Sequence, residues 1–374
     1  MTELDRRRFL AAMMAAPAAG AARPVQTGAE PVAAAVIGTG NRGAYLLRGI
    51  LEQPGVKVAA LCDIKPDRLD TAATLAARDK PRTYTDYRRL LEQPDVGAVF
   101  IATPCDLHVE MAIAALKAGK HVYCEKPVGI TPESIRELLR VARQSGSVFQ
   151  IGQQMRSDAR LRKTIEKIHA GAAGKVVMIK AQRHASEDLD HHGPSADWFF
   201  NAARSGDVIV EMSVHNLDVC NWVAASRPER AAGFGGTLVW VNDPPGRTNM
   251  DGYTLSYEYA NGIKLSYTQV FFHPRGLPGG GQYCYVYTTE GAVDLMNATF
   301  YPRSRDAAPV VLAEPEKTPP HAHVAAFFEA IRSGSRPFAD LTVAATAALT
   351  AILGREAIYR RKVMTWAELG VQEL

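Results

Sequence analysis

Six apolar residues in a row, Val32 to Ile37, run straight into Gly38-Thr39-Gly40-Asn41-Arg42-Gly43, and a helical pattern then extends from Ala44 to Glu52. An unbroken apolar run of this length suits a strand buried on both faces, as in a parallel sheet covered by helices. The glycines allow a tight turn, close backbone approach to a pyrophosphate, and tight packing of helix on strand. Alone such a glycine pattern is weak evidence; between a strand and a helix it constrains the whole fold. The next strand, Val56 to Cys62, ends in Asp63. An acid there accepts hydrogen bonds from the adenosine ribose hydroxyls and repels a 2′-phosphate. These residues point to a bound dinucleotide, with NAD favoured over NADP.

The alternation continues. A helix from about Pro66 to Ala77 precedes a buried strand, Val96 to Ala102, that ends in Thr103-Pro104. His108 to Ala118 is helical, and a strand from His121 to Cys124 delivers the loop Glu125-Lys126-Pro127. Thr131-Pro132 reads as an N-cap with proline at the first helical position, opening a helix to about Ser145. Val148 to Ile151 closes this half. Strands and helices alternating at these lengths imply a parallel, doubly wound sheet. Lys126 then stands at the carboxyl end of a parallel strand, where open α/β sheets bind ligands. An amine there can steady a hydroxyl oxygen that loses its proton.

With 374 residues the chain exceeds one ordinary core. We divide it into residues 1–30, a signal and linker; 31–151, the dinucleotide-binding domain; and 152–374, a substrate-binding and oligomerisation domain. In the last part, Asp158 to Ala170 is helical and Lys175 to Arg183 is a strand. Segments at 230–241, 253–259, 263–270, 283–289 and 293–295 carry the alternating, β-branched and aromatic pattern of one large sheet. Helices follow at His323–Arg332 and Leu341–Tyr359.

The stretch from Gly206 to Val223 carries the second set of reactive groups. Glu211, His215 and Asp218 stand at i, i+4 and i+7, and on one continuous helix they share a face. An acid one turn before a histidine can orient the ring and support its charged form, which suits a general base near neutral pH. Arg156, Arg183, Trp198 and His273 are candidates for the substrate cleft, with the indole face of Trp198 against a sugar ring. His184, Glu187, Asp188, Asp190, His191 and His192 superficially resemble a metal cluster. They lack helical two-histidine spacing, and no metal is expected.

The N-terminus is read as an address. Asp5-Arg6-Arg7-Arg8-Phe9-Leu10 sets paired arginines before an Ala/Met-rich run with small residues around Ala19 to Ala21. That is the layout of a removable twin-arginine export signal, and it is shorter than the about 20 apolar residues a stable membrane span needs. A net charge of +4, dispersed along the chain, gives no argument for nucleic acid. The five cysteines form no CxxC pair, so neither zinc nor a disulfide framework is signalled.

Ala102-Thr103-Pro104, His108, Ala118-Gly119-Lys120-His121-Val122 and Cys124-Glu125-Lys126-Pro127 together resemble consecutive hallmarks of the Gfo/Idh/MocA oxidoreductases. The resemblance implies a Rossmann domain joined to an α/β domain with a large, open, mostly antiparallel sheet, assembled as dimers or tetramers through that sheet. It implies that the Lys-Pro loop lies beside the nicotinamide, with the proline commonly cis. It places Gly38, Gly40, Asn41, Arg42, Gly43, Asp63, Thr103, Pro104, His108, Glu125 and Lys126 around the cofactor. In the family a lysine, an aspartate and a histidine act together on the substrate hydroxyl. Here Lys126 and His215 match, Glu211 takes the aspartate's place, and Asp207 and Ser213 replace glycines. The expected function is oxidation of a hydroxyl on a sugar, glycoside or cyclitol, with a tightly held cofactor recycled in place and Glu211 holding His215. The alternatives are a glycoside-cleaving enzyme that works through transient oxidation, and a non-catalytic dinucleotide-binding sensor.

Overall fold

In the computed structural model, residues 31–186 and 196–374 are described. The proposed signal at 1–30 and the acids and histidines at 187–192 lie outside them. The first sheet contains β1 (Val32–Ile37), β2 (Val56–Cys62), β3 (Arg82–Tyr84), β4 (Ala98–Ile101), β5 (His121–Cys124) and β6 (Phe149–Ile151). All are parallel, in the order β3-β2-β1-β4-β5-β6. The order reverses between β1 and β4, and the crevice beyond their carboxyl ends is where such sheets bind ligands. Helices α1 (Asn41–Leu51), α2 (Pro66–Leu75), α3 (Tyr87–Leu91), α4 (His108–Lys117) and α5 (Pro132–Ala142) form the crossovers. Thr131 caps α5 by accepting from Ser134 N, as its sequence position requires.

After α6 (Ala159–His169) comes a second sheet. Its strands are β7 (Val176–His184), β8 (Pro228–Gly236), β9 (Gly252–Tyr259), β10 (Lys264–Val270), β11 (Gly281–Thr288), β12 (Gly291–Asp294), β13 (Thr299–Pro302), β14 (Val310–Val311) and β15 (Met364–Thr365). They lie in the order β14-β13-β12-β11-β7-β10-β9-β8-β15, antiparallel except for the parallel pair β7–β10. The strand expected at 230–241 ends at Gly236, and β13, β14 and β15 form where the sequence reading placed no strand.

Between β7 and β8 the chain forms short helices α7 (Ala196–Phe199), α8 (Ala202–Ser205) and α9 (Val208–Glu211), then α10 (Val214–Ala224). Two helices finish the chain, α11 (Ala322–Ser333) and α12 (Leu341–Tyr359). α11 returns to the first sheet, where Val324, Phe327, Phe328 and Ile331 pack with Val36, Leu47, Phe100 and Tyr123. Burial of these aromatic rings against one another is what covers that face of the sheet. α12 is long and apolar enough to cross a membrane, yet 72% of its apolar window is buried inside the fold. It is the central core helix of the second half. The five cysteines are buried and free.

Candidate functional site

The first βα turn is built for close approach. Gly38 sits at φ +85°, and a Cβ there would meet Ala102 O at 2.7 Å. A Cβ on Gly43 would lie 1.8 Å from Gly38 O. The N-cap position of α1 is Gly40, with no side-chain cap, so the first N–H groups of the helix are left for an anion. Asp63 is buried and accepts from Thr39 N at 2.7 Å and Lys65 N at 2.9 Å. Its carboxylate is thereby fixed at the rim of the crevice. A cleft of about 470 Å³ is lined by Gly38, Gly40, Asn41, Arg42, Asp63, Thr103, Pro104, His108, Glu125, Lys126, Trp198, Glu211 and His215, among others. An uncapped helix start, a turn that excludes side chains and an oriented acid fit a dinucleotide.

Lys126 and His215, from opposite halves of the chain, both line this cleft. The Lys126–Pro127 peptide is cis. His108 sits beneath the loop, with its ring nitrogens 2.7 Å from Pro127 O and 2.9 Å from Thr103 O. Burial holds its pKa below the ordinary value. Glu125 is turned away from solvent and pairs with Arg42 Nε at 2.7 Å, while Arg42 Nη2 donates to Gln154 at 2.8 Å. Arg42 thus ties the glycine-rich turn to the Glu125-Lys126-Pro127 loop.

The expected helical face of Glu211, His215 and Asp218 does not form. The helix breaks at Met212-Ser213, between α9 and α10. In a continuous helix the Glu211 carbonyl would accept the His215 N–H; here it accepts from Lys126 Nζ at 2.6 Å. The Ser213 hydroxyl is drawn into contacts with Tyr253 and Gln269 of the second sheet. Consequently Glu211 does not hold His215, and its carboxylate pairs with Lys126 instead. The group that orients His215 is Gln153, whose Oε1 accepts from Nδ1 at 2.9 Å. That bond assigns the proton to Nδ1 and leaves Nε2 bare. Burial, and then the charges of Lys126, Arg183 and Arg42, hold the His215 pKa well below its ordinary value.

Asp207, at one of the glycine positions, has φ +74° and ψ 159°, a region that favours glycine. The strain is offset by buried bonds from Val208 N at 2.6 Å and Met250 N at 3.2 Å, together with the Tyr359 hydroxyl. From the same side Arg355 donates to Ile130 O at 3.0 Å and Gly206 O at 3.1 Å, clamping the segments that carry Lys126 and Glu211.

The substrate candidates separate. Trp198 lines the cleft. Arg183, like His273, is absent from the cleft lining, but its charge acts on His215. Arg156 does not reach the cleft: it is buried, with Nε and Nη2 each 2.8 Å from the Asp218 carboxylate. Trp222 and Phe338 cover its guanidinium at 5.0 and 5.4 Å. His273 is absent from the cleft lining; it bonds Leu277 O at 2.9 Å and lies against His184. Gln153, Gln154 and Arg355 escaped the sequence reading, because a neutral amide and an arginine on an alanine-rich helix carry no spacing signal. Among the described residues no group of three or more His, Cys, Asp or Glu could hold a metal.

Residues 32–153 match the GFO/IDH/MocA oxidoreductase family model, NAD-binding Rossmann fold, and residues 161–294 match the GFO/IDH/MocA C-terminal domain. The 2,7-anhydro-N-acetylneuraminate hydratase of Mediterraneibacter gnavus is 31% identical over 209 residues, 56% of this chain and 54% of that protein. The inositol 2-dehydrogenase of Salmonella paratyphi B is 28% identical over 192 residues, 51% of this chain and 54% of that protein. The chain thus spans about half the length of these curated relatives. In fold, it is similar to the crystal structure of myo-inositol 2-dehydrogenase from Lactobacillus plantarum. The TM-score is 0.74 at 22% identity, covering 90% of this chain and 99% of that one.

Proposed function

The chain belongs to the Gfo/Idh/MocA oxidoreductase family, and from that premise we propose that it oxidises a hydroxyl of a sugar, glycoside or cyclitol. A bound nicotinamide dinucleotide supplies the hydride acceptor. The observation that carries the reading is that Lys126 and His215 line the same cleft, with His215 Nε2 bare. His215 takes the hydroxyl proton at Nε2 while Gln153 keeps the ring oriented. Lys126, held by the Glu211 carbonyl and carboxylate, donates to the oxygen as negative charge develops. Arg42 and Glu125 hold the lysine loop against the glycine-rich turn. A non-catalytic sensor would have no use for both groups in these positions. The test is a panel of sugars and cyclitols against the purified protein, read by transient nicotinamide absorbance in a single turnover of the bound cofactor and by product analysis. If no member is converted and none changes the absorbance while known substrates do so in a control enzyme, the oxidation reading is wrong.

NAD is the expected nucleotide, because the buried Asp63 carboxylate at the end of β2 would repel a 2′-phosphate. Binding titrations will give tighter NAD(H) than NADP(H); the reverse order would remove Asp63 as the selector.

Export by the twin-arginine route, which carries folded proteins, fits a fold that must load its nucleotide before leaving the cytoplasm. Outside, no soluble pool replaces a spent cofactor, so we expect it to stay bound and to be regenerated in place. A cycle that oxidises, alters and re-reduces one substrate meets that demand, and the relative named as a hydratase of an anhydro sugar favours this second, redox-neutral reading. The purified protein is expected to keep stoichiometric dinucleotide through gel filtration and to turn over without added NAD. An apo preparation that needs millimolar NAD and releases NADH would exclude in-place recycling. The exposed aromatic residues Tyr285, Tyr287 and Tyr301 on the second sheet support assembly as a dimer or tetramer.

A further inference from the structure

The charges around His215 do not balance. Lys126 is matched by Glu211, Arg42 by Glu125, and Arg156 by Asp218. Arg183 has no such match: among the described residues its guanidinium has neither a hydrogen-bond nor an ion-pair partner. Side chains alternate along a strand. Ile179 and Ala181 of β7 are buried on the face that packs against α10, the helix that carries His215, and Arg183 shares that face. Its charge is felt at His215.

A second donor lies across from it in register. Gln269 of β10 pairs with Arg183 and is fully buried. Its Oε1 accepts from the Tyr253 hydroxyl at 3.0 Å and the Tyr267 hydroxyl at 3.3 Å, and contacts Ser213. Among the described residues its Nε2 has no partner. Two neighbouring donors on one face, one of them a half-buried cation, therefore lack an acceptor among the described residues. Native interiors rarely leave such groups unmatched, and an unmatched guanidinium beside a reaction centre is suited to a ligand anion.

We propose that Arg183 anchors a carboxylate of the substrate, so that the hydroxyl oxidised at Lys126 and His215 belongs to an acidic sugar such as a uronate. The inference rests on the oxidation reading above and narrows its substrate class. The carboxylate would supply the negative charge that the described residues around Arg183 do not.

The test uses the protein purified with its dinucleotide. Glucuronate, galacturonate, their methyl esters, and glucose and galactose are compared by calorimetric binding and by nicotinamide absorbance. Uronates should exceed their esters and the neutral sugars on the order of 10²-fold in kcat/KM, and the advantage should shrink with added salt. Arg183→Gln should erase the advantage and Arg183→Lys keep part of it, with melting temperature and bound dinucleotide unchanged as the check on folding. Neutral sugars oxidised as well as uronates, or a preference that survives Arg183→Gln, would overturn the anchor while leaving the oxidation reading intact. Uronate binding that depends on Arg183 with no transient reduction of the bound nicotinamide and no conversion of the sugar would overturn oxidation and keep the anchor. If no acidic sugar binds, the anchor is refuted.

Discussion

His215→Ala and Lys126→Ala are each expected to lower turnover on the order of 10²-fold or more, with dinucleotide binding nearly intact. In the proposed reaction one side chain removes the hydroxyl proton and the other stabilises the oxygen. Glu211→Gln should be milder, because Lys126 Nζ also bonds the Glu211 main-chain carbonyl. Gln153→Leu should lower kcat more than it raises KM, since it releases the Nδ1 proton that fixes the ring. The pH dependence has a definite sign. With its pKa held well below the ordinary histidine value by burial and three cations, His215 stays neutral as pH falls through that value. The acid limb of kcat/KM should therefore lie well below pH 6.5, the ordinary histidine value. An acid limb at 6.5 or above, or full activity in His215→Ala, would show that this ring is not the base. Linkage runs the same way: the unfolded ring takes up a proton near 6.5 while the folded one does not, so acidification through that value costs stability.

Asp218→Ala is expected to destabilise the fold by about 3–5 kcal/mol, the usual cost of stranding one member of a buried ion pair. Arg156 would be left with its charge inside the protein, both donors facing Asp218 unmet, between Trp222 and Phe338. Removing both charges, as in Arg156→Met with Asp218→Leu, should recover most of the loss, because well-packed apolar residues replace such pairs at little cost. Urea unfolding of the wild type and the two variants measures this. A loss below about 1 kcal/mol in Asp218→Ala would mean that water reaches the pair and that its role is not structural. The same variants separate structure from substrate binding. The double variant should keep the wild-type KM, which it would not if Arg156 held the substrate.

The glycine-rich turn, the strand–helix alternation, the acid ending β2 and the Glu-Lys-Pro loop were all readable along the chain, because each depends on neighbours a few residues apart. Gly38 needs its positive φ whatever the rest of the protein does, and Lys126 follows β5 by two residues. His215 was legible as a reactive group for the same reason. Its partner was not. Helical spacing assigned Glu211 to it, but that assignment assumes an unbroken helix, and the break is made by groups remote in sequence. Lys126 captures the Glu211 carbonyl from 85 residues away, and Gln269 reaches Ser213 from 56. Once the helix is broken, Glu211 turns to the nearest cation, and Gln153 from the end of β6 fills the place beside His215. Arg156 was drawn from a possible cleft position into the core by Asp218, again 62 residues away. Local propensity chose the elements and the reactive side chains. Which of those side chains face one another was decided by hydrogen-bond and charge competition that exists only when the two sheets close on the cleft.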